Sequence, residues 1–213
     1  MPKPKVIFLD AVGTIFGTRG SVGEIYSAIA SREGIDISAQ KLDQAFFKSF
    51  KVSPPLAFQR ADLLAVPELE YQWWKQVAYN TFSQAAEIDQ FPDFDDFFSE
   101  LYDYFARADA WFVYEDVFNS LKYWQSQGIE LGIISNFDSR IYEVLELLEL
   151  RNFFSSITIS SMAGFAKPQP EIFKLALEKH DCTPQEAWHI GDSKNEDYFG
   201  ALNVGIKAFL LER

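Results

Sequence analysis

Hydrophobic positions along the chain change rhythm twice. The first run, Val6-Ile-Phe-Leu9, is unbroken, follows a Pro/Lys lead-in and stops at Asp10. A short continuous apolar run of this kind suits a parallel strand covered on both faces. Gly13-Thr14 then marks a turn. From about Ser21 to Arg107 the apolar positions return at helical spacing (Ile25, Ala28, Ile29; Leu42, Phe46, Phe47, Phe50; Trp73, Trp74, Val77). Pro54-Pro55, Pro67 and Pro92 punctuate the stretch, and no segment in it reads convincingly as a strand. An all-helical unit is predicted here. Its segment Glu87 to Asp109 interleaves acids with Phe and Tyr. That reads as an amphipathic helix with a solvated acidic side in preference to a partner-binding face.

From Val113 the rhythm becomes alternating. Helices are predicted over Val117–Gln127, Ser139–Leu150, Pro170–His180 and Glu196–Asn203, and strands over Glu130–Ser135, Ser156–Ser160, Ala187–Ile190 and Ile206–Leu210. Strands alternating with helices predict an α/β fold, a parallel sheet with helices on both faces. The first strand belongs with this half, so the helical stretch is an insertion: residues 1–16 and 113–213 form one unit and 17–112 the other.

Composition narrows the function. A chain of 213 residues fits one domain with a large insertion or two small ones. Its 48% apolar share suits a buried core, and its 21 Phe residues predict a bulky, aromatic interior. The net charge of −12 repels phosphate backbones, so no nucleic-acid partner is expected. A small anionic substrate needs a metal or local cations to reverse the sign inside its site. Cys182 is the single cysteine, which rules out an intramolecular disulfide and suits a reducing compartment. The N-terminal apolar run is too short for a signal peptide, and no stretch reaches the length of a membrane span. A soluble, cytoplasmic protein without a membrane partner is expected, as a monomer or weak dimer.

Ligands in such sheets bind beyond the carboxyl ends of the strands. There the sequence delivers Asp10, Ser135-Asn136, Lys167 and Asp192, with Asp197 opening the next helix. Three carboxylates, an ammonium and a hydroxyl at one rim suit phosphoryl transfer to a carboxylate. A carboxylate attacking a phosphate dianion needs a hard cation between them, and Mg²⁺ is satisfied by two carboxylates, a backbone carbonyl and water. Asp10 and Asp192 supply the carboxylates. Lys167 holds Asp10 and neutralises the transferring group. Ser135, Asn136 and backbone N–H groups around Val12, Gly13 and Thr14 are the phosphate-binding candidates. Asp197 orients the metal waters. Each of these alone has a structural explanation; their order, each at a strand end, favours the chemistry.

The segments DAVGT (10–14), ISN (134–136), KPQPEIF (167–173) and HIGDSKNEDYFGA (189–201) resemble the four motifs of the haloacid-dehalogenase-like superfamily, with the helical insertion placed where that family carries its cap. YQWWKQV (71–77) is also similar to the Trp pair in the cap of a smaller subgroup, the REG-2-like proteins. The resemblance implies a Rossmann-like core with a helical cap. It also implies a nucleophile at Asp10, a phosphate-binding hydroxyl at Ser135, a lysine at Lys167, metal-binding acids at Asp192 and Asp197, and the Val12 carbonyl as a Mg²⁺ ligand.

One position departs from that pattern. Most phosphatases of the superfamily carry a second Asp two residues after the nucleophile, where this chain has Val12. General acid–base help is worth roughly 10²–10⁴ in rate, or about 3–5 kcal/mol. Three readings follow. The first is a phosphohydrolase of a small phosphorylated metabolite with a substitute acid or an easy leaving group. The others are a catalytically impaired binding protein and, less favoured because Gly191-Asp192 is intact, a 2-haloacid dehalogenase. A phosphonatase would want a Schiff-base lysine from Lys41, Lys48, Lys51 or Lys75, each also explained as solvated. His189 reads as a packed, hydrogen-bonded histidine, Cys182 as unactivated, and Arg19 as a solvated linker residue. One of Trp73 and Trp74 is a candidate to line the cleft under the cap.

Overall fold

The computed structural model describes residues 3–85 and 88–213. Of the acidic stretch discussed above, Glu87 lies outside the described residues. β1 (Val6–Leu9) leads into β2 (Phe16–Thr18), and four helices follow: α1 (Val22–Ala30), α2 (Ala39–Val52), α3 (Val66–Gln84) and α4 (Phe94–Tyr104). β3 (Trp111–Val113) returns the chain to the alternating half. That half contains α5 (Val117–Ser126), β4 (Glu130–Ser135), α6 (Ile141–Leu147), β5 (Ser156–Ile159), α7 (Ser160–Ala163) and α8 (Pro170–Glu178). It ends with β6 (Ala187–Gly191), α9 (Gly200–Asn203) and β7 (Lys207–Leu210).

Five strands form one parallel sheet in the order β5-β4-β1-β6-β7. All four residues of β1 are buried, and their side chains alternate between faces as a pleated strand requires. Ile7 and Leu9 join the core that includes Val117 and Leu121 of α5 and Ile141 and Val144 of α6. Val6 and Phe8 join Ile172 and Phe173 of α8 and Ala201 of α9 on the other face. The fold is thus the expected α/β sheet with a helical cap.

The four helices α1 to α4 have their own core, centred on Tyr26, Phe82, Phe97 and Phe98. Its rings meet both ways that aromatic quadrupoles favour: Phe82 and Phe97 edge to face at 5.1 Å and 89°, and Tyr26 and Phe82 stacked at 5.7 Å and 6°. Helix starts follow local chemistry. Ser21 and Glu24 form a capping box on α1, Asp93 accepts the amides of Asp95 and Asp96 at α4, and Pro170 occupies the first turn of α8.

Three features differ from the sequence expectation. β2 and β3 pair antiparallel into a two-stranded ribbon at the two junctions with the helical unit; at three residues each, neither carries a readable alternation. The helix expected from Ser139 begins at Ile141, because Asp138 folds back to accept the Arg140 amide at 3.0 Å. The helix expected over Glu196–Asn203 opens instead as a π-turn over Lys194–Phe199. Such widened turns concentrate at functional sites, and this one carries Asp197.

Candidate active site

The sheet order places β4, β1 and β6 side by side. Their carboxyl ends therefore present Ser135, Asp10 and Asp192 at one rim. Lys167 arrives from the loop between α7 and α8 and is buried. Its ammonium donates to Asp10 Oδ1 at 2.6 Å and to Asp197 Oδ1 at 2.5 Å. His189 in β6 is fully buried, and its Nε2 lies 2.8 Å from the same Asp197 oxygen. The Ser193 amide donates to Asp197 Oδ2 at 3.0 Å. His189 is thus a packed, hydrogen-bonded residue that helps fix Asp197.

The charges respond to this arrangement. Burial lifts Asp10 above the ordinary carboxylate range, and Lys167 opposes that lift. Asp197 is buried too, but the Lys167 ammonium and the His189 N–H hold its carboxyl well below the usual range. Burial works against the charge on Lys167, yet Asp10 and Asp197 together raise its pKa and keep it protonated. Burial also raises Asp192, helped by the negative charge of Asp10 and Asp197. For His189, burial lowers the pKa and keeps the ring neutral.

Oxygens of Asp10, Asp192 and Asp197 all lie within 4.8 Å of one another. Burial is the main cause that raises two of these acids, Asp10 and Asp192, and the charge of their neighbouring carboxylates adds to it. An all-oxygen donor set of this kind fits a hard divalent cation. Two glycines make the close approach possible. A Cβ on Gly13, which has φ +88°, would stand 2.8 Å from Asp192 Cγ, and a Cβ on Gly191 would stand 2.6 Å from Asp197 Cβ. Both are closer than real side chains pack.

Three of the phosphate-binding candidates are engaged elsewhere in the protein. The Gly13 amide donates to Phe16 O at 2.8 Å and the Thr14 amide to Ala11 O at 3.2 Å, so the turn itself consumes both donors. The Thr14 side chain is buried away from the cleft and lines a separate cavity beside Val117 and Trp188. The Asn136 carboxamide is also engaged. Its Oδ1 accepts the Lys167 amide at 2.7 Å, and its Nδ2 donates to Lys167 O at 3.0 Å and to Glu196 Oε2 at 3.1 Å. Asn136 therefore positions the Lys167 loop. Ser135 remains on the cleft wall.

That cleft has a volume of about 630 Å³ and runs between the sheet rim and the cap helices. Asp10, Val12, Ser135 and Lys167 line it from below, and Phe50, Lys51 and Trp73 from above. Of the cap lysines considered, Lys51 reaches this cleft, while Lys75 pairs with Asp95 at 2.7 Å. Arg19 donates to Trp111 O at 2.7 Å, and the Cys182 thiol is pushed up by burial.

Several residues here carried no readable signal in the sequence. Glu196 also lines the cleft and is lifted by burial. A polar contact ties the cap to the core. Glu70 of α3 accepts the Ser139 amide at 3.0 Å and the Ser139 hydroxyl, and Trp74 Nε1 donates to Asp138 Oδ2 at 2.6 Å. Arg140 pairs with the same carboxylate through Nε at 2.9 Å and Nη2 at 2.6 Å. Both Trp residues face cavities: Trp73 the cleft, and Trp74 an inner chamber behind it.

Residues 4–205 match the family model described as haloacid dehalogenase-like hydrolase. The chain is 32% identical over 207 residues to haloacid dehalogenase-like hydrolase domain-containing protein 3 of Bos taurus, spanning 97% of this chain and 81% of that protein. A shorter match, 38% over 88 residues, covers 41% of this chain and 39% of a glyceraldehyde 3-phosphate phosphatase of Methanothermobacter thermautotrophicus. Among solved structures, an HAD phosphatase from Thermococcus onnurineus aligns with TM-score 0.64 at 21% identity, covering 98% of this chain and 86% of that one. L-2-haloacid dehalogenase of Xanthobacter autotrophicus aligns with TM-score 0.70 at 18% identity, covering 99% and 78%. At these identities the two structures speak for the fold. With the family model spanning nearly the whole chain, the protein belongs to the haloacid dehalogenase-like hydrolases.

Proposed function

We propose that the protein is a Mg²⁺-dependent phosphohydrolase of a small phosphorylated metabolite, with Asp10 as the nucleophile. The observation that carries this reading is the Lys167 ammonium 2.6 Å from Asp10 Oδ1, beside the Asp10–Asp192–Asp197 oxygen cluster. Asp10, Asp192 and the Val12 carbonyl would hold Mg²⁺, with Asp197 fixed behind them by Lys167 and His189. When bound, the ion neutralises phosphoryl charge so that two anions can meet. Asp10 attacks phosphorus and becomes an aspartyl-phosphate. Lys167 stabilises charge on the transferring group, and the Ser135 hydroxyl donates to a phosphoryl oxygen. Water then releases phosphate and restores the carboxylate.

Hydrolysis of p-nitrophenyl phosphate, measured with Mg²⁺, with EDTA and for Asp10→Asn, tests the reading. Activity that depends on both the ion and the carboxylate is expected; activity surviving EDTA or the Asn substitution overturns it. Val12 favours two other readings by removing the usual acid. Chloride release from 2-chloropropionate without metal would establish a dehalogenase. Mg²⁺ binding without turnover on any phosphate would establish a binding protein.

A further inference from the structure

Behind the nucleophile cleft lies a second cavity of about 240 Å³. Val12, Phe50, Asn136 and Phe137 line both, so the two spaces adjoin along these four residues. The inner walls are aromatic: Tyr26, Phe46, Trp74, Phe98, Tyr102 and Phe105. A cation also faces it, but Arg140 is neutralised by its two bonds to Asp138 and stacks on the Tyr102 ring at 3.8 Å. Burial raises the Tyr26 and Tyr102 hydroxyls, which keeps both phenols protonated. The chamber thus offers ring faces and edges without a net charge.

Size and chemistry agree on an occupant. An apolar cavity of about 150 Å³ admits benzene, so this chamber accommodates one substituted ring. Val12, one of the four shared residues, supplies no proton to a departing oxygen. An alkoxide leaving there would suffer, whereas a phenolate, with a conjugate acid pKa near 10, departs without a donor.

Building on the phosphohydrolase reading, we infer that the substrate is an aryl phosphate monoester whose ring occupies the aromatic chamber while its phosphate sits at Asp10. The Asp10 carboxylate forms a bond to phosphorus as the P–O(aryl) bond breaks, and that bond's electron pair leaves on the phenolate. Water attacks the phosphorus of the aspartyl-phosphate, and the P–O bond to Asp10 breaks with its pair returned to the carboxylate. One proton brought by the water passes through solvent to the phenolate, giving a phenol and hydrogen phosphate.

The test separates the chamber from the catalysis. Benzylphosphonate and methylphosphonate cannot be cleaved and are titrated by calorimetry into the Mg²⁺-loaded protein. The benzyl compound is expected to bind at least tenfold more tightly; equal binding overturns the assignment. Val22→Phe, on the chamber wall, is expected to shrink that preference at least fivefold. An undiminished preference in a folded variant overturns it. Phenyl phosphate should exceed glycerol phosphate in kcat/KM at least 100-fold, and parity overturns the aryl assignment. Benzyl preference with no hydrolysis of any phosphate would retain the chamber and refute the phosphohydrolase reading alone.

Discussion

Asn136 grips the backbone of Lys167 with both ends of its carboxamide, accepting the amide at 2.7 Å and donating to the carbonyl at 3.0 Å. The Lys167 ammonium is thereby aimed from a loop that has no regular secondary structure of its own. Asn136→Ala leaves both backbone groups to find other partners, at a cost of about 1–3 kcal/mol. Phosphate hydrolysis is expected to fall at least tenfold in kcat with little change in KM. Steady-state kinetics beside thermal melts would check the split; a change confined to KM would show that Asn136 contacts substrate.

Lys167 is the one cation hydrogen-bonded to both Asp10 and Asp197 among the described residues. Removing one member of a buried ion pair typically costs about 3–5 kcal/mol, because the other charge is left unpaired. Lys167→Met should therefore destabilise the fold and abolish turnover. Adding Asp197→Asn should recover part of the stability but none of the activity. A double-mutant cycle by denaturant unfolding is expected to give about 0.5–3 kcal/mol of coupling; strict additivity would contradict the pairing.

Val12 lines both the cleft and the aromatic chamber. Val12→Asp introduces a carboxyl that can protonate a departing oxygen. Hydrolysis of alkyl phosphates is expected to rise about tenfold or more relative to phenyl phosphates. An equal effect on both, measured as the ratio of kcat/KM, would place the proton donor elsewhere, with Glu196, the cleft carboxyl outside the Asp10–Asp192–Asp197 cluster, the next to test.

Glu70 couples pH to the attachment of the cap. Burial raises its pKa above the ordinary 4.5, against the hydrogen bonds it accepts from Ser139. A carboxyl raised in the folded state favours folding most below its unfolded pKa, and that contribution is lost as pH rises through the folded pKa. Glu70→Gln removes the ionisation while keeping the shape. The melting temperature of the variant minus that of the wild type should therefore become more positive from pH 4 to pH 7. A flat difference would show that Glu70 ionises without penalty.

Much of the site was legible because the sheet imposes it. Strand ends marked by Asp10, Ser135 and Gly191-Asp192 must converge once β4, β1 and β6 are neighbours. The rest of the site depends on contacts between distant segments. Nothing in the string says that the Gly13 and Thr14 amides close their own turn, or that Asn136 turns toward Lys167. The Glu70–Ser139 and Trp74–Asp138 contacts join residues 69 and 64 positions apart, on helix faces whose orientation periodicity does not give. The β2–β3 ribbon is too short to leave an alternating pattern.

That ribbon governs how the cleft can open. The chain enters the helical unit along Phe16–Thr18 and leaves it along Trp111–Val113, and the two crossings are zipped together. The cap is therefore tethered along a single line, like a book on its spine. A displacement that preserves the pairing is a swing about that line, and it must undo the bonds from Glu70 and Trp74 to the loop after β4. That swing and release of the clasp are one event, so any substrate entry or product exit that needs the swing would share the rate at which the clasp lets go.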